Sequence, residues 1–527
     1  MDTLQSTLRF AKHFFFGTSL SRASGLLRDI AMAVFFGSSP KIAAFMVAYR
    51  LANLFRRLFG EGNLQSGVVP HFEEIRGRDP KAAFLFYRDA AFSFSVGIGG
   101  FVGVMTAFLW GIKDFLSPKG AEIVSLSLWM VPGLLFICLS ALNTALLQCQ
   151  KKYFAPALAP ALFNGVWVLA AWIGWVFFPS DAMVILSMGV TVAFAAQWAA
   201  TALQARFEWR EHMSLREWFQ PQIFPPSWRK ILAPMGLGII GAGAMQINSA
   251  LDAIFALVAD PSGPAYLWYA IRIEQLPLSL FAIALSGALL PPLSRSIQAG
   301  DLEGARALLR GSCQRAMFWI IPCSFALFAL GAAGLNLLYG RGEFGSKDLL
   351  QTLFCLWGYG LGLIPAALTL LLTASFYAKK SYKMPTFASL FSVGFHILLN
   401  VVLVFVLQWG AVSIALATSL SAWINYAILA WGTEGIDFCS MMKIGCASLG
   451  AAMMTVGLGS WAGDPTLAII QGAESLFLHG FWNQCGQMGM MGLFFACSFL
   501  GLSWAMGLFV YTIEEKSPEK NPGLSND

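Results

Sequence analysis

The sequence predicts an all-α polytopic membrane protein with about 14 transmembrane helices. Of the 527 residues, 57% are hydrophobic and only 12% are charged, whereas soluble globular proteins carry roughly 25% charged residues. Apolar stretches close to the ~20 residues that span a hydrocarbon layer recur along the whole chain. Lysine and arginine are concentrated in alternate connections, as in membrane proteins with one fixed orientation.

Fourteen stretches have the length and composition of a membrane span. They cover residues 10–36, 43–70, 87–112, 121–149, 155–178, 183–205, 229–258, 266–294, 313–339, 349–377, 385–407, 411–432, 440–462 and 488–513. An even number of spans places both termini on one side. The connections on the opposite side hold few cations, namely Lys41, Lys113, Lys119, Arg341 and Lys347. The positive-inside rule therefore predicts that both termini are cytoplasmic.

An internal repeat organises these spans. Residues 50–88 align without gaps with residues 272–310. The repeat predicts two lobes of six helices, an N-terminal lobe at 1–206 and a C-terminal lobe at 229–432, joined by a cytoplasmic linker at 207–228. Because six is even, the repeats are parallel, which is a common transporter plan with the substrate site at the repeat interface. Outside the repeat are two extra C-terminal helices within 433–513 and a cytoplasmic tail at 514–527.

Charged residues inside predicted spans are the strongest functional signal. The cations are Arg22, Arg28, Arg50, Arg56, Arg57 and Arg272, and the acids beside them are Asp29, Glu61, Asp252 and Glu274. A charge at a helix centre costs about 2.5–3.5 kcal/mol on insertion scales, so such residues usually line a water-filled cavity or pair with one another. Since cations outnumber acids, we expect a net positive cavity. The planar guanidinium binds two oxygens at once and favours a diphosphate ligand.

Simpler interpretations remain open for some of these residues. Arg50 and Arg57 lie where a long side chain could reach the headgroups, and Arg28 with Asp29 could be a structural ion pair. His396 and Asn400, one helical turn apart, are typical of hydrogen-bonded polar groups between membrane helices. For Arg22, Arg28, Arg56 and Arg272 we favour cavity lining.

Motifs of catalysis and ATP binding are missing from the sequence. It has no GxxxxGK[ST] phosphate loop, no HExxH and no GxSxG. The sequence therefore predicts a secondary transporter rather than an enzyme, with no cofactor and no nucleic-acid partner. Energy would come from an ion gradient, the membrane potential or a downhill substrate gradient.

Several segments resemble the MurJ/MviN family of lipid II flippases. They are SLSRASGLLRDIAMAVFFG (19–37), FMVAYRLANLFRRLFGEGNLQSGVVP (45–70), WYAIRIEQLPLSLFAIALSGALLPPLS (268–294), LLYGRGEFGSKD (337–348) and SFYAKKSYKMPT (375–386). The resemblance implies the fold of the multidrug/oligosaccharidyl-lipid/polysaccharide exporter superfamily. It also implies movement of the undecaprenyl-diphosphate-linked peptidoglycan precursor from the cytoplasmic to the periplasmic leaflet by alternating access.

The resemblance also implies site residues. The substrate-binding residues would be Arg22, Arg28, Asp29, Arg56 and Arg272. Supporting cavity residues would be Ser21, Arg50, Asn53, Glu61, Glu274 and Gln275. Two positions depart from the family: Ala43 and Gln275 stand where some relatives carry acids, which puts a proton- or charge-relay role there in doubt. Some relatives bind sodium, and Asp252 and Asn400 match members of that site.

The family implies a multi-pass protein of the bacterial inner membrane that acts as a monomer, with lipid II and membrane lipids as partners and with possible contacts to cell-wall synthesis enzymes. The two C-terminal helices would supply a groove for the polyprenyl tail. Two alternatives remain: a flippase for another polyprenyl-linked glycan, which shares the diphosphate, and a drug/cation antiporter of the same superfamily. The antiporter would need an acidic cavity, so the arginines argue against it.

Overall fold

A computed structural model describes residues 4–59, 63–225, 246, 248–431, 438–462, 481–506 and 508, and these residues are helical with short connections. The contacts between residues divide the chain into two compact units. The first comprises residues 1–265 and 342–344, and the second comprises 266–341 and 345–527. This division does not test the predicted lobe boundaries at 206 and 229, which stay a prediction.

The first unit contains ten described α-helices. They are α1 (Leu4–Phe36), α2 (Pro40–Phe59), α3 (Asn63–Arg76), α4 (Pro80–Ile112), α5 (Pro118–Met130), α6 (Gly133–Cys149), α7 (Phe154–Phe177), α8 (Ala182–Arg210), α9 (Leu215–Trp218) and α10 (Asn248–Ala259). Helix α7 packs against α1 and α8, α6 packs against α8, and α2 packs against α5. The buried face of α7 includes Phe163 and Trp167, whose rings lie 5.5 Å apart.

The second unit contains nine described α-helices. Its helices are α11 (Gly263–Pro277), α12 (Ala284–Gln298), α13 (Leu302–Tyr339), α14 (Ser346–Gly360), α15 (Leu363–Ala378), α16 (Lys383–Val401), α17 (Val412–Trp431), α18 (Phe438–Ala462) and α19 (Phe481–Ala505). π-helical turns follow α11 at Leu278–Ile283 and α16 at Val402–Val406. Helix α13 packs against α14, α15, α18 and α19.

Within the described residues, nine helical segments are long and apolar enough to cross a membrane, or ten if the bent pair α5–α6 is one span. The chain is therefore a polytopic helical membrane protein, as predicted. Helices α1 and α2, which carry most of the arginines predicted to lie within spans, are not among these nine. The predicted seventh span at 229–258 lies largely outside the described residues.

The second predicted span, at 43–70, comprises α2 and α3, and residues 60–62 between them lie outside the described part of the chain. Two other predicted spans depart from a regular straight α-helix. The fourth, at 121–149, bends by 43° between α5 and α6, because Pro132 lacks the N–H that would continue the helix. The eighth, at 266–294, contains a π-helical turn.

The repeat is visible in local structure as well as in sequence. Helices α6 and α15 both end two residues before a lysine with positive φ, Lys151 at 58° and Lys380 at 56°. In both, the next amide bonds back across the cap: Lys152 N donates to Leu147 O at 2.8 Å and Ser381 N donates to Phe376 O at 2.9 Å. This is the six-to-one bond of a Schellman cap.

The linker is anchored to the start of α4. Arg88 Nη1 donates to Glu217 O at 2.7 Å, and Asp89 Oδ1 accepts from Gln222 N at 2.9 Å. Ser93 Oγ accepts from Phe224 N at 2.9 Å. Arg88 and Asp89 also pair with each other at 2.6 Å and are both buried. The segment predicted as the linker is therefore hydrogen-bonded to α4 as far as Phe224.

Candidate functional site

Arg28 is the centre of a buried polar cluster between α1 and α7. Its Nε and Nη2 atoms donate to Asp29 Oδ1 at 3.1 and 2.8 Å, and Nη1 donates to Asn164 Oδ1 at 3.1 Å. The guanidinium also lies 4.9 Å from the ring centre of Trp167. Arg28 is 7% exposed and Asp29 is 2% exposed. Hydrogen bonds between charged groups are strong in a low dielectric, and a buried polar network is rigid when its members are paired. These three bonds therefore fix the Arg28 side chain.

Asn164 joins the cluster to the backbone of α1. Its Nδ2 atom donates to Ser24 Oγ at 2.9 Å and to Ser21 O at 3.5 Å. Ser21, predicted as a supporting cavity residue, thus contributes its carbonyl oxygen. Sequence reasoning missed Asn164 and Trp167. They are three residues apart, so they share one face of α7. The isolated amide of Asn164 within an apolar predicted span could have identified it as a candidate.

Arg22 differs from Arg28 in its environment. It lies six residues earlier on the same helix, its side chain is exposed, and among the described residues it has no hydrogen bond or ion pair. The two predicted substrate-binding arginines of α1 are therefore of two kinds. One is held by a carboxylate and an amide, and the other carries an uncompensated charge.

Helix α2 carries the next predicted group. Arg50 and Asn53 are half-buried, Arg57 is exposed, and each has a partner within the protein. The side chain of Arg56 and the whole of Glu61 lie outside the described residues, so their predicted roles stay predictions. Ala43, at a position where some relatives carry an acid, is fully buried at 0% exposure.

In the second unit, α11 carries Arg272, whose guanidinium lies 4.6 Å from the ring centre of Trp268, one helical turn earlier. Glu274 is buried and Gln275 is exposed. Adjacent residues on a helix point about 100° apart, so Glu274 does not stand in for an acid at position 275. A π-helical turn begins three residues after Gln275, and such turns are frequent at functional sites.

The two residues of the predicted sodium site have different surroundings. Asp252 is a half-buried residue of α10 in the first unit. Asn400, in α16 of the second unit, is buried, and its Nδ2 atom lies 3.3 Å from His396 Nε2. Thr418 Oγ1 of α17 lies 3.4 Å from the same nitrogen. This geometry fits the hydrogen-bonded polar pair expected for His396 and Asn400. Among described residues, no three His, Cys, Asp or Glu side chains cluster as a metal site; the sodium site, which would use other oxygen ligands too, stays a prediction.

Comparison with known proteins identifies the family. The protein-family model described as "Lipid II flippase MurJ" matches residues 32–468, which is most of the chain. The chain belongs to the MurJ family. The resemblance seen in the sequence motifs is thereby confirmed.

Curated MurJ relatives match along almost the whole chain. A probable lipid II flippase MurJ of Chlamydia muridarum is 29% identical over 521 residues, covering 96% of this chain and 94% of the relative. One from Chlamydia pneumoniae is 30% identical over 464 residues, covering 84% and 82%. Membership of the MurJ family and the apolar helices together make this a multi-pass protein of the bacterial inner membrane.

Solved structures show the same fold. A lipid II flippase MurJ in an inward closed conformation aligns with a TM-score of 0.74 at 22% identity and covers 94% of this chain and 99% of that one. An inward-facing multidrug resistance MATE family transporter of the MOP superfamily aligns with a TM-score of 0.56 at 14% identity, covering 82% and 94%. The superfamily fold expected from the MurJ resemblance is thereby supported.

Proposed function

We propose that this chain is a flippase that moves lipid II, the undecaprenyl-diphosphate-linked peptidoglycan precursor, from the cytoplasmic to the periplasmic leaflet. The observation that carries the proposal is the match of the MurJ family over most of the chain. The arginines of α1 and α11 supply the chemistry, because a planar guanidinium matches the paired oxygens of a diphosphate. The activity is transport, with no bond made or broken.

The arginines have different roles in this proposal. Arg22 contacts the diphosphate, because its guanidinium is exposed and its charge is not neutralised by a neighbouring acid. Arg28 positions α1: at least three of its five N–H groups already bond to Asp29 and Asn164. Arg272 and Arg56 complete the diphosphate site. The Arg272 guanidinium lies 4.6 Å from the ring centre of Trp268, and this cation–π contact favours that placement of the side chain.

The transport cycle is alternating access of two six-helix lobes in a fourteen-helix protein with both termini in the cytoplasm. The diphosphate enters from the cytoplasmic side, and the lobes then open to the periplasm while the polyprenyl tail follows α18 and α19 within the bilayer. A membrane potential that is negative inside favours outward movement of an anion by about 2.3 kcal/mol per charge per 100 mV. Sodium held by Asp252 and Asn400 is a further source of coupling, and the protein acts as a monomer.

The proposal is tested by complementation. A bacterium depleted of its own lipid II flippase receives the wild-type chain, Arg22→Ala or the matched control Arg216→Ala, an exposed arginine of α9. The fraction of lipid II accessible from the periplasm is then measured at equal expression.

We expect rescue by wild type and by Arg216→Ala, and at least a tenfold lower flipping rate for Arg22→Ala. Full activity of Arg22→Ala would remove that residue from the diphosphate site. If the wild-type chain is expressed but lipid II stays inside, the substrate is another polyprenyl-linked glycan.

A further inference from the structure

A cavity lies in the first unit, at the end of the bundle that meets the linker. Its volume is about 250 Å³. It is lined by residues 87–95 of α4, the middle of α6, the last third of α8 and the short linker helix α9. Five of the twelve lining residues are aromatic, among them Phe92, Trp198, Trp209 and Trp218. The residues assigned to the diphosphate site do not line it.

The linker forms one wall of the cavity. The Trp218 ring stacks on Trp209 with centroids 4.3 Å apart and planes at 10°, and it lies 5.8 Å from Phe92. Helix α9 begins at a capping box between Ser214 and Glu217, and Lys81 pairs with the Glu217 carboxylate at 2.7 Å. The aromatic wall is therefore held in place rather than left on an unattached segment.

Arg206 differs from the other polar residues of the lining because its side chain has no partner among the described residues. Tyr87 donates to Asn143 Oδ1 at 2.6 Å, and Asn143 Nδ2 donates to Thr201 Oγ1 at 3.3 Å, so these polar atoms bond to one another. Arg206, in the last turns of α8, also lines the cavity. Within the described part of the chain it has no hydrogen bond, ion pair or ring contact. The charge available to a ligand here is thus a single cation.

Arg206 and Trp198, the cation and one of the aromatic residues of the lining, lie at different depths along α8. Arg206 and Trp198 are eight residues apart on α8, which is about 12 Å along the helix axis. Arg206 lies near the end of this membrane-crossing helix, at the level where basic side chains reach headgroup phosphates. Trp198 lies toward the apolar middle of the span. A ligand that contacts both residues has an anionic head and a hydrocarbon tail.

We propose that this cavity binds an anionic phospholipid, with the phosphate on Arg206, the upper part of one acyl chain against Trp198, and the aromatic wall of Trp209 and Trp218 beside the lipid. Its volume is below the ~300–1,000 Å³ of pockets that enclose a whole drug-sized ligand, so the rest of the lipid lies along the outside of the helices. Basic pockets between membrane helices on the cytoplasmic side are known to hold acidic headgroups. Because α9 forms a wall, bound lipid also stabilises the linker against α4.

The test uses the purified full-length chain in detergent. Phosphatidylglycerol and phosphatidylcholine with identical acyl chains are added separately, and the number of retained lipids and the apparent Tm are measured by native mass spectrometry and thermal denaturation. We expect wild type to retain phosphatidylglycerol at least fivefold better than phosphatidylcholine, with a higher Tm.

Three variants assign the effect to the cavity. Arg206→Gln should abolish the preference, Arg206→Lys should keep most of it, and Arg210→Gln, which removes an exposed arginine one turn away, should behave as wild type. Trp218→Leu should weaken retention of both lipids without changing the ratio between them. Because Trp218→Leu leaves the charge of Arg206 in place, it tests the apolar contact with the lipid separately from the contact with the phosphate.

The proposal fails if wild type does not distinguish the two lipids, or if Arg206→Gln and Arg210→Gln lose the preference equally. It also fails if inorganic phosphate raises the Tm as much as phosphatidylglycerol does, because the ligand would then be a free anion. Should Arg206→Gln not fold, the comparison of phosphatidylglycerol with phosphatidylcholine and with inorganic phosphate on wild type still tests the ligand class, and Trp218→Leu, which would retain both lipids as well as wild type if the cavity were not the site, still tests the location. None of these measurements depends on lipid II transport.

Discussion

Replacing Asp29 by Asn should destabilise the first unit strongly. Asp29 supplies the carboxylate that neutralises Arg28, and the two residues are 2% and 7% exposed. Removing one member of a buried ion pair leaves an uncompensated charge, which costs about 3–5 kcal/mol. At roughly 2–4 °C per kcal/mol for a unit of this size, the apparent Tm should fall by roughly 6–20 °C.

The assay is thermal denaturation of the purified protein in detergent, followed by a thiol-reactive dye because buried cysteines such as Cys138 become accessible on unfolding. Asp181→Asn is the matched control, since Asp181 is an exposed acid beside the start of α8. We expect this control to lie within 2 °C of wild type, because exposed pairs contribute less than about 1 kcal/mol.

A double variant separates stability from function. Arg28→Met with Asp29→Leu removes both charges at similar volume, and such replacements are often neutral or stabilising. It should recover most of the Tm lost in Asp29→Asn while flipping stays impaired. If Asp29→Asn and Asp181→Asn have the same Tm, the buried pair does not contribute as argued and Arg28 is stabilised by other contacts.

Two further predictions concern packing and pH. At Gly362 a Cβ atom would lie 2.9 Å from the Cα of Ser419. Gly362→Ala should therefore lower the free energy of unfolding by about 1–3 kcal/mol, measured in the same thermal assay. The control Gly394→Ala, whose added Cβ meets open space, should be neutral or stabilising. Bonds from Lys81 and from Ser214 lower the pKa of Glu217 to about 2. The lowered pKa means that ionised Glu217 stabilises α9 fully above the ordinary value near 4.5, and this stabilisation is lost progressively as pH falls from there through about 2. Hydrogen exchange of α9, corrected for intrinsic rates, should therefore be unchanged from pH 7 to about pH 5. Glu217→Gln should raise that exchange at every pH.

Much of the fold follows from sequence because hydrophobicity and charge act over whole segments. Predicted spans at 155–178 and 411–432 match α7 and α17 within a residue or so. The repeat was also visible, since Asp79 and Asp301 align and both cap the helix that follows them. The bend at Pro132 was not predicted, because prolines such as Pro160 and Pro322 lie within uninterrupted helices. Neighbouring helices decide where a proline interrupts a span, and their positions are not local information.

The candidate site was predicted less completely. Arg28 and Asp29 were identified by their charge in an apolar stretch, but their bonding to Asn164 depends on which face of α7 meets α1. The contrast between Arg22 and Arg28 has the same origin. Residues six apart on a helix lie about 120° from facing the same way. Helix α1 is continuous from Leu4 to Phe36, and only one of the two arginines is buried.

The anchoring of the linker on α4 has a consequence for how this segment can change during evolution. Arg88, Asp89 and Ser93 hold it through Glu217 O, Gln222 N and Phe224 N, all of them main-chain atoms. Main-chain atoms are present whatever side chain occupies a position, proline at a donor position excepted. The linker can therefore diverge at Gln222 and Phe224 while its path along the bundle stays the same. Mutations that release it are expected in α4 and at Glu217, whose side chain also holds α9.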